Sequence, residues 1–217
     1  MEQQEVIVPS RSSSRYRIKS FSPFPSGFGS ALVFFREFLR APAMIGSVIP
    51  TSTAAVRAML EPLDWQNTKL FVEYGPGLGT FTHDILARLP EDARLIAIDT
   101  NGRFVTHLRS TIQDPRFRAA HGSAADVTRI IGEHGHDKAD YILSGLPFST
   151  LPAGVAPAII EATHTALRVG GAFLVYQYSR FVLPMLQPYF PDIDQQMLWR
   201  NIPPVRTFSA WRSAPEE

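Results

Sequence analysis

A glycine-rich loop is the clearest chemical motif in the sequence. Gly75, Gly77 and Gly79 stand at alternate positions directly after a short apolar run, in the segment Val72-Glu-Tyr-Gly-Pro-Gly-Leu-Gly79. Glycine lets the backbone pass close to a ligand and adopt conformations that are closed to other residues. The helix expected after the loop offers unpaired amide N–H groups to a carboxylate or phosphate. The spacing differs from the Gly-x-Gly-x-x-Gly of dinucleotide-binding proteins.

Two carboxylates follow the loop at positions that suit a nucleoside. Asp99 ends the second apolar run, where its side chain can accept hydrogen bonds from two ribose hydroxyls. Asp126 closes the segment Gly122-Ser-Ala-Ala-Asp126, where its side chain can hold an adenine amino group. Both stand at the predicted carboxyl ends of strands, which is where open α/β sheets bind ligands.

The elements that must position these residues alternate between strand and helix. The terminal segments 196–201 and 205–211 look like an antiparallel hairpin across Pro203 and Pro204. This order predicts an α/β fold with a Rossmann-like, doubly wound, seven-stranded sheet that ends in an antiparallel hairpin. Further strands are predicted over 69–75, 93–99, 116–122, 141–145 and 172–178, and helices over 80–89, 103–113, 127–133, 157–167 and 180–187.

The front of the chain has a different composition. Residues 1–27 are rich in Ser, Arg and Pro, which predicts a flexible basic tail. Residues 28–60 predict amphipathic helices, the first over 28–40 with a Phe-rich face and the second after Pro50. We expect this region either to pack on the core or to act as a lid at a membrane or substrate. Residues 61–217 then form the α/β domain.

Composition and charge limit the possible functions. The 217 residues carry a formal net charge of +1, which argues against a nucleic-acid partner. No cysteine is present, so disulfides and Cys-based metal sites are excluded, and a cytoplasmic location fits. The longest apolar run, 31–35, is far shorter than the roughly 20 residues that span a bilayer. Residues 1–40 hold six basic residues against three glutamates, so the remainder is slightly acidic.

The segment Glu73-Tyr-Gly-Pro-Gly-Leu-Gly79 resembles motif I of class I S-adenosylmethionine-dependent methyltransferases, and the resemblance covers roughly residues 45 to 212. It implies S-adenosyl-L-methionine as cofactor and S-adenosyl-L-homocysteine as product. It also implies that Glu73 and the glycines hold the methionine part, Asp99 the ribose and Asp126 the adenine. The full predicted set of cofactor-binding residues is Glu73, Tyr74, Gly75, Gly77, Gly79, Asp99, Thr100, Ala125, Asp126 and Ser144.

The segment Ser144-Gly-Leu-Pro-Phe148 is similar to the loop that holds the target nitrogen in aminomethyltransferases. Ser144 stands where ribosomal RNA adenine dimethyltransferases have Asn, so the chain departs from that group. The resemblance leaves two groups to orient the amine: the Ser144 hydroxyl or a backbone carbonyl. Tyr176 and Tyr178 are further catalytic candidates, because their rings can face a cationic headgroup.

Three segments together resemble bacterial phospholipid N-methyltransferases: residues 45–52, 144–148 and 201–205. This resemblance implies stepwise methylation of the phosphatidylethanolamine amine toward phosphatidylcholine. It also implies a protein on the inner face of the cell membrane, with the 28–40 helix on an anionic phospholipid surface. The predicted substrate-binding residues are Ile45, Pro50, Leu146, Pro147, Phe148 and Arg206, the last facing a lipid phosphate.

Other functions stay open at this point. The chain also fits an enzyme like the RNA adenine N6-dimethyltransferases, or a soluble small-molecule amine methyltransferase. A non-catalytic membrane-binding module that keeps a cofactor fold is a further alternative. No His or Asp is identified by its position as the proton acceptor, and no metal site is predicted.

Overall fold

The computed structural model describes residues 53–199 and 204–214. Several predictions lie outside the described residues: the tail over 1–27, the helix over 28–40, and the substrate contacts of Ile45 and Pro50. The turn of the terminal hairpin, which includes Asn201, lies outside them as well.

Seven strands form one mixed sheet in the described part of the chain, in the order β3-β2-β1-β4-β5-β7-β6. The first five strands pair in parallel, and β7 runs antiparallel to both β5 and β6. This is the predicted doubly wound sheet with its terminal hairpin. The strands are β1 Leu70–Tyr74, β2 Arg94–Asp99, β3 Phe117–His121, β4 Ala139–Ser144, β5 Leu167–Gln177, β6 Asp192–Leu198 and β7 Val205–Trp211.

Helices cover both faces of the sheet. The first face carries α1 Thr53–Leu60, α2 Thr80–Leu86 and α3 Gly102–Thr111. The second face carries α4 Val127–Glu133, α5 Val155–Ala166 and α6 Leu183–Leu186. Two 3₁₀ turns, Ala124–Asp126 and Phe148–Thr150, complete the second layer.

Strand β1 shows why these sequences form buried strands. All five of its residues are buried, and alternate side chains enter opposite clusters: Leu70 and Val72 on the second face, Phe71 on the first. A strand covered on both faces needs a continuous apolar run, which is what the sequence has here. Strand order reverses between β1 and β4, so a crevice opens at their carboxyl ends.

Strand β5 begins five residues earlier than expected. The sequence places Gly170 and Gly171 just before a strand predicted over 172–178, but they belong to an irregularity within the strand. Gly170 has φ +76°, and a Cβ on Gly171 would come within 2.5 Å of the Asp140 carbonyl oxygen. The glycines therefore let β5 bend against β4.

Strand β6 begins at Asp192, four residues before its predicted start. Four of its first five residues are polar and exposed, because β6 is the edge of the sheet and pairs only with β7. An edge strand needs no apolar run, so hydrophobicity misses its beginning. In contrast, α4 and β7 have the predicted boundaries.

Candidate active site

The glycine loop turns with its backbone towards a cavity. Gly75, Gly77 and Gly79 have φ values of +64°, +57° and +90°, a conformation that favours glycine. The Gly75 N–H donates to the Ile98 carbonyl oxygen at 3.0 Å, and this bond ties the loop to β2. A Cβ placed on Gly77 would meet no atom within 4 Å, so the loop borders open space at that position.

The cavity has a volume of about 280 Å³ and lies at the carboxyl ends of β1, β2 and β4. Its polar lining includes Asp99, Thr100 and Ser123, and the loop glycines Gly75 and Gly77 border it. The apolar lining includes Ile98, Phe104, Leu146, Leu151, Val155 and Ile159. An apolar slot with a few converging polar groups is typical of small-molecule sites.

Asp99 supplies the carboxylate of the cavity. Its Oδ1 accepts a hydrogen bond from the Asn101 N–H at 2.8 Å, which fixes the side chain at the end of β2. Burial raises the pKa of Asp99 above its ordinary value, while N–H groups of Asn101 and Gly77 and the nearby His121 act in the opposite direction. The arrangement suits a diol that donates two hydrogen bonds to one carboxylate.

Glu73 lies two residues before Gly75 and is only 2% exposed. Its Oε2 accepts a hydrogen bond from the Thr82 hydroxyl at 2.6 Å. Burial raises the pKa of Glu73 to about 7, the Thr82 hydroxyl lowers it, and the charge of Asp99 raises it further. No cation pairs with Glu73 among the described residues. A buried carboxylate without a cation fits a ligand that brings an ammonium group.

The predicted acceptor loop lies directly against the glycine loop. Ser144 is fully buried, and its Oγ accepts a hydrogen bond from the Leu146 N–H at 3.2 Å. The Gly145 N–H donates to the Tyr74 carbonyl oxygen at 3.1 Å. A Cβ on Gly75 would come within 2.9 Å of Leu146 Cδ2. Ser144 therefore shapes the loop, and Gly145, Leu146 and Pro147 line the cavity.

Several predicted site residues lie outside the cavity lining, among them Glu73, Gly79 and Ser144 as well as the four described next. Phe148 is 1% exposed and packs edge-on against Phe173, with ring centroids 6.3 Å apart. Tyr74 is buried, and its hydroxyl hydrogen-bonds with Thr163 Oγ1 at 3.2 Å. Ala125 packs on the second face, and Asp126 is exposed and forms a 3.5 Å ion pair with Arg129. Ser123 and Ala124, just before them, line the cavity instead.

The structure separates the two candidate tyrosines. Tyr176 packs on the first face, edge-on to Phe81 at 5.6 Å between ring centroids. Tyr178 follows the end of β5 and is largely exposed, and the burial of its remaining part raises the pKa of its hydroxyl. Arg206 stands on β7 opposite Gln177, at the same end of the sheet as the cavity but not in its lining. Their predicted roles stay predictions.

Sequence reasoning missed several residues of this site. Phe104 lines the cavity from the first turn of α3, and Val155 and Ile159 line it from α5. Gln177, at the end of β5 but outside the cavity lining, is 7% exposed, and its amide nitrogen has no hydrogen-bond partner within residues 53–199 and 204–214. Of these residues, only Phe104 could have been identified from the sequence, because it follows Asp99 by five residues.

Comparisons with known proteins agree with this geometry. No family model matches the chain. The ornithine lipid N-methyltransferase of Singulisphaera acidiphila is 26% identical over 182 residues, which is 81% of this chain and 93% of that protein. The ribosomal RNA small subunit methyltransferase H of Acinetobacter baumannii is 31% identical over 86 residues. That match spans 39% of this chain and only 28% of the curated relative.

Solved structures share the fold. The 1,6-didemethyltoxoflavin-N1-methyltransferase of Burkholderia thailandensis, which contains S-adenosylhomocysteine, matches with a TM-score of 0.65 and 16% identity over 89% of this chain and 93% of that one. The N-methyltransferase NodS of Bradyrhizobium japonicum matches with a TM-score of 0.60 and 13% identity over 75% and 94%. The predicted fold of class I S-adenosylmethionine-dependent methyltransferases is thereby confirmed, and the residues of the cavity fit that cofactor.

Proposed function

We propose that this chain, a class I S-adenosylmethionine-dependent methyltransferase in sequence and fold, methylates the primary amine of a membrane lipid headgroup. The observation that carries the proposal is the contact between the acceptor loop and the glycine loop at Gly75 and Leu146. A target amine held by the acceptor loop lies next to a cofactor held by the glycine loop. The lipid part is supported by the long match to an ornithine lipid N-methyltransferase.

Residues in and beside the cavity would contact three parts of the cofactor, Glu73 from beside the cavity and the others from its lining. The Glu73 carboxylate takes the ammonium of the methionine part, and Asp99 takes the ribose hydroxyls. The adenine lies in the apolar slot between Phe104 and α5, with Ser123 as its polar neighbour in place of Asp126. When bound, S-adenosyl-L-methionine supplies a methyl group on a positively charged sulfur.

The chain contributes alignment and exclusion of water. Transfer needs the acceptor nitrogen, the methyl carbon and the sulfur in line, and positioning supplies most of such catalysis. Ser144 is fully buried and absent from the cavity lining, whereas residues 145–147 line it, so we assign the N–H of the amine to a carbonyl of the 145–147 loop. The headgroup ammonium must lose a proton before it attacks, and we assign that proton to water at the cavity mouth.

Phosphatidylethanolamine is the acceptor we propose, methylated stepwise toward phosphatidylcholine. An ornithine lipid is a second candidate, and the relative from Singulisphaera acidiphila favours it. Both headgroups combine a primary amine with an anionic group, a phosphodiester in one and a carboxylate in the other. The acceptor loop would contact the amine of either lipid. The two lipids differ in the anionic group, the phosphodiester or the carboxylate, which must lie further from that loop.

The partner we propose is an anionic membrane surface on the cytoplasmic side, with the enzyme bound peripherally. No helix in the described part of the chain is long and apolar enough to cross a bilayer.

The test is methyl transfer by the purified full-length chain from labelled S-adenosyl-L-methionine to vesicles. One vesicle set contains phosphatidylethanolamine, one contains ornithine lipid, and one contains neither, and free ethanolamine serves as the soluble acceptor. We expect label in the lipid amine. Label in free ethanolamine alone would favour a soluble amine methyltransferase, and no transfer by a protein that still binds S-adenosylhomocysteine would overturn the proposal.

A further inference from the structure

Four large apolar side chains are exposed at the end of the sheet where the cavity lies. They are Leu78 at 56%, Tyr178 at 52%, Phe181 at 46% and Trp199 at 75% exposure, and we call them the apolar rim. Leu78 stands between two loop glycines, Tyr178 and Phe181 follow β5, and Trp199 follows β6. The remaining exposed large apolar residue of the described chain, Val169, lies at the opposite end of the sheet, near the start of β5.

The apolar rim follows one edge of the molecule. Strands β1, β4, β5, β7 and β6 are consecutive in the sheet, and neighbouring strands lie about 4.8 Å apart, so the ends of β1 and β6 are separated by about 19 Å along this edge. The cavity opens on the same edge beside Gly77 and Leu146. Exposed apolar side chains grouped around a site are typical of a surface that meets a membrane or another protein.

The charged residues of the chain segments that carry Tyr178, Phe181 and Trp199 are all positive at this end of the sheet. The sequence contains no Asp or Glu between Glu161 and Asp192, and none between Asp194 and Glu216. Arg180 and Arg206 stand in these stretches near the rim. Arg180 Nη2 donates to Gln195 Oε1 at 3.2 Å, and neither arginine pairs with a carboxylate of the described residues. The part of the edge formed by the ends of β5 and β6 and the start of β7 is therefore complementary to an anionic surface.

We propose that the apolar rim docks this edge on an anionic lipid surface, so that the cavity mouth faces the headgroups. Aromatic side chains favour the boundary between water and hydrocarbon, and arginines favour anionic headgroups. A protein partner would also cover the exposed apolar side chains. It would not explain why Asp and Glu are absent from the two stretches of sequence described above. This docking rests on the proposed function, because its purpose is to bring lipid headgroups to the cavity. The experiments that test it measure lipid contact and not methyl transfer.

The absence of cysteine makes a direct test possible, because one introduced thiol is the only labelling site. Phe181→Cys and the control Val169→Cys are made in the full-length chain and labelled with an environment-sensitive fluorophore. With phosphatidylglycerol-containing vesicles, we expect the emission at position 181 to shift to the blue and to be quenched by nitroxide lipids. The label at position 169 stays in water.

Three outcomes would overturn the docking. The label at position 181 stays in water on vesicles that bind the protein; or both positions respond alike; or position 181 reports an apolar environment before vesicles are added. The last result would show that the chain's own residues 1–52, or a second copy, cover the rim.

A second pair of variants keeps the test independent of labelling. The double variant F181S/W199S should bind anionic vesicles about tenfold more weakly, whereas V169S binds normally. Both should methylate a short-chain monomeric lipid at the normal rate. If vesicles bind at the rim but no lipid is methylated, the docking stands and the proposed function fails. If lipids are methylated with position 181 in water, the function stands and the docking fails.

Discussion

Gly75 and Leu146 are in contact, so closely that a single added carbon on Gly75 would come within 2.9 Å of Leu146 Cδ2. Gly75 belongs to the loop proposed to hold the cofactor, and Leu146 to the loop proposed to hold the acceptor. The two loops come from β1 and β4, which are neighbours in the sheet but 70 residues apart in their pairing. The contact couples the position of the donor to that of the acceptor.

Gly75→Ala should push the two loops apart. The added methyl group meets Leu146, and the φ of +64° strains any residue other than glycine. We expect kcat to fall about tenfold or more, because small displacements of reacting groups cost large factors in rate. Steady-state kinetics of G75A, L146A and the double variant measure this.

The double variant supplies the control for Gly75→Ala. Removing the Leu146 side chain removes the collision but leaves the backbone strain. We expect G75A/L146A to be faster than the product of the two single effects. Additive losses in kcat would show that the contact does not link the loops.

Gly77→Ala should weaken cofactor binding without a matching loss of stability. Gly77 and Gly135 both have positive φ, +57° and +82°, and a Cβ on either meets nothing within 4 Å. Alanine at each position therefore carries a similar strain of about 1 kcal/mol. Only the methyl group at position 77 enters the cavity, so we expect G77A to bind S-adenosylhomocysteine about tenfold more weakly than G135A. Equal affinities in titration calorimetry would place the ligand elsewhere.

Glu73 should make stability depend on pH. Its pKa of about 7 in the folded protein lies above the ordinary value of 4.5, so between these values the folded state holds the proton more tightly than the unfolded chain. The stability that comes from protonated Glu73 is complete at low pH and is lost as the pH rises through about 7. We expect E73Q to lose this dependence and to be about 3 kcal/mol more stable than the parent at about pH 8.

The same carboxylate should couple cofactor binding to pH. Glu73 must be ionised to hold an ammonium group, so binding of S-adenosylhomocysteine below about pH 7 releases a proton and weakens as the pH falls. E73Q should bind weakly at every pH, and E161Q, an exposed carboxylate on α5, should behave as the parent. Calorimetry in buffers of different ionisation enthalpy counts the proton. A parent affinity that does not change between about pH 5 and 8 would contradict the assignment.

Phe148 should act on stability rather than on the acceptor. It is fully buried against Phe173, so Phe148→Ala should destabilise the protein by about 3–5 kcal/mol in urea unfolding. Phe148→Leu keeps most of the buried volume and should keep kcat/KM. Normal stability together with a large loss of kcat/KM in F148L would return Phe148 to the substrate site predicted from the sequence.

The parallel part of the fold was predictable because each buried strand has a continuous run of apolar residues in the sequence. Strands β1, β2 and β4 and the glycine loop were located from such runs, and Asp99 ends β2 where the sequence predicted the end of that strand. Strand β6 was predicted too short, since an edge strand carries polar residues. The early start of β5 was missed because its paired glycines bend a strand instead of ending one.

The site was harder to predict than the fold, because side-chain direction is a tertiary property. Phe148 and Leu146 stand two residues apart in one loop, yet Leu146 lines the cavity and Phe148 enters the core. The 3₁₀ turn after β3 brings Ser123 to the cavity and leaves Asp126 beside Arg129. Phe104 and Ile159 come from helices on opposite faces of the sheet, and no local pattern links them.

The most direct measurement for the central claim is a competition between lipid and soluble amines. The full-length chain is incubated with labelled S-adenosyl-L-methionine, mixed vesicles of phosphatidylethanolamine and ornithine lipid, and an excess of free ethanolamine and ornithine. The products are then separated and identified by mass. We expect label to enter a lipid amine in preference to either soluble amine, and at limiting cofactor we expect G77A to transfer less label than G135A. Label in the soluble amines alone, or in no amine while S-adenosylhomocysteine still binds, would contradict it.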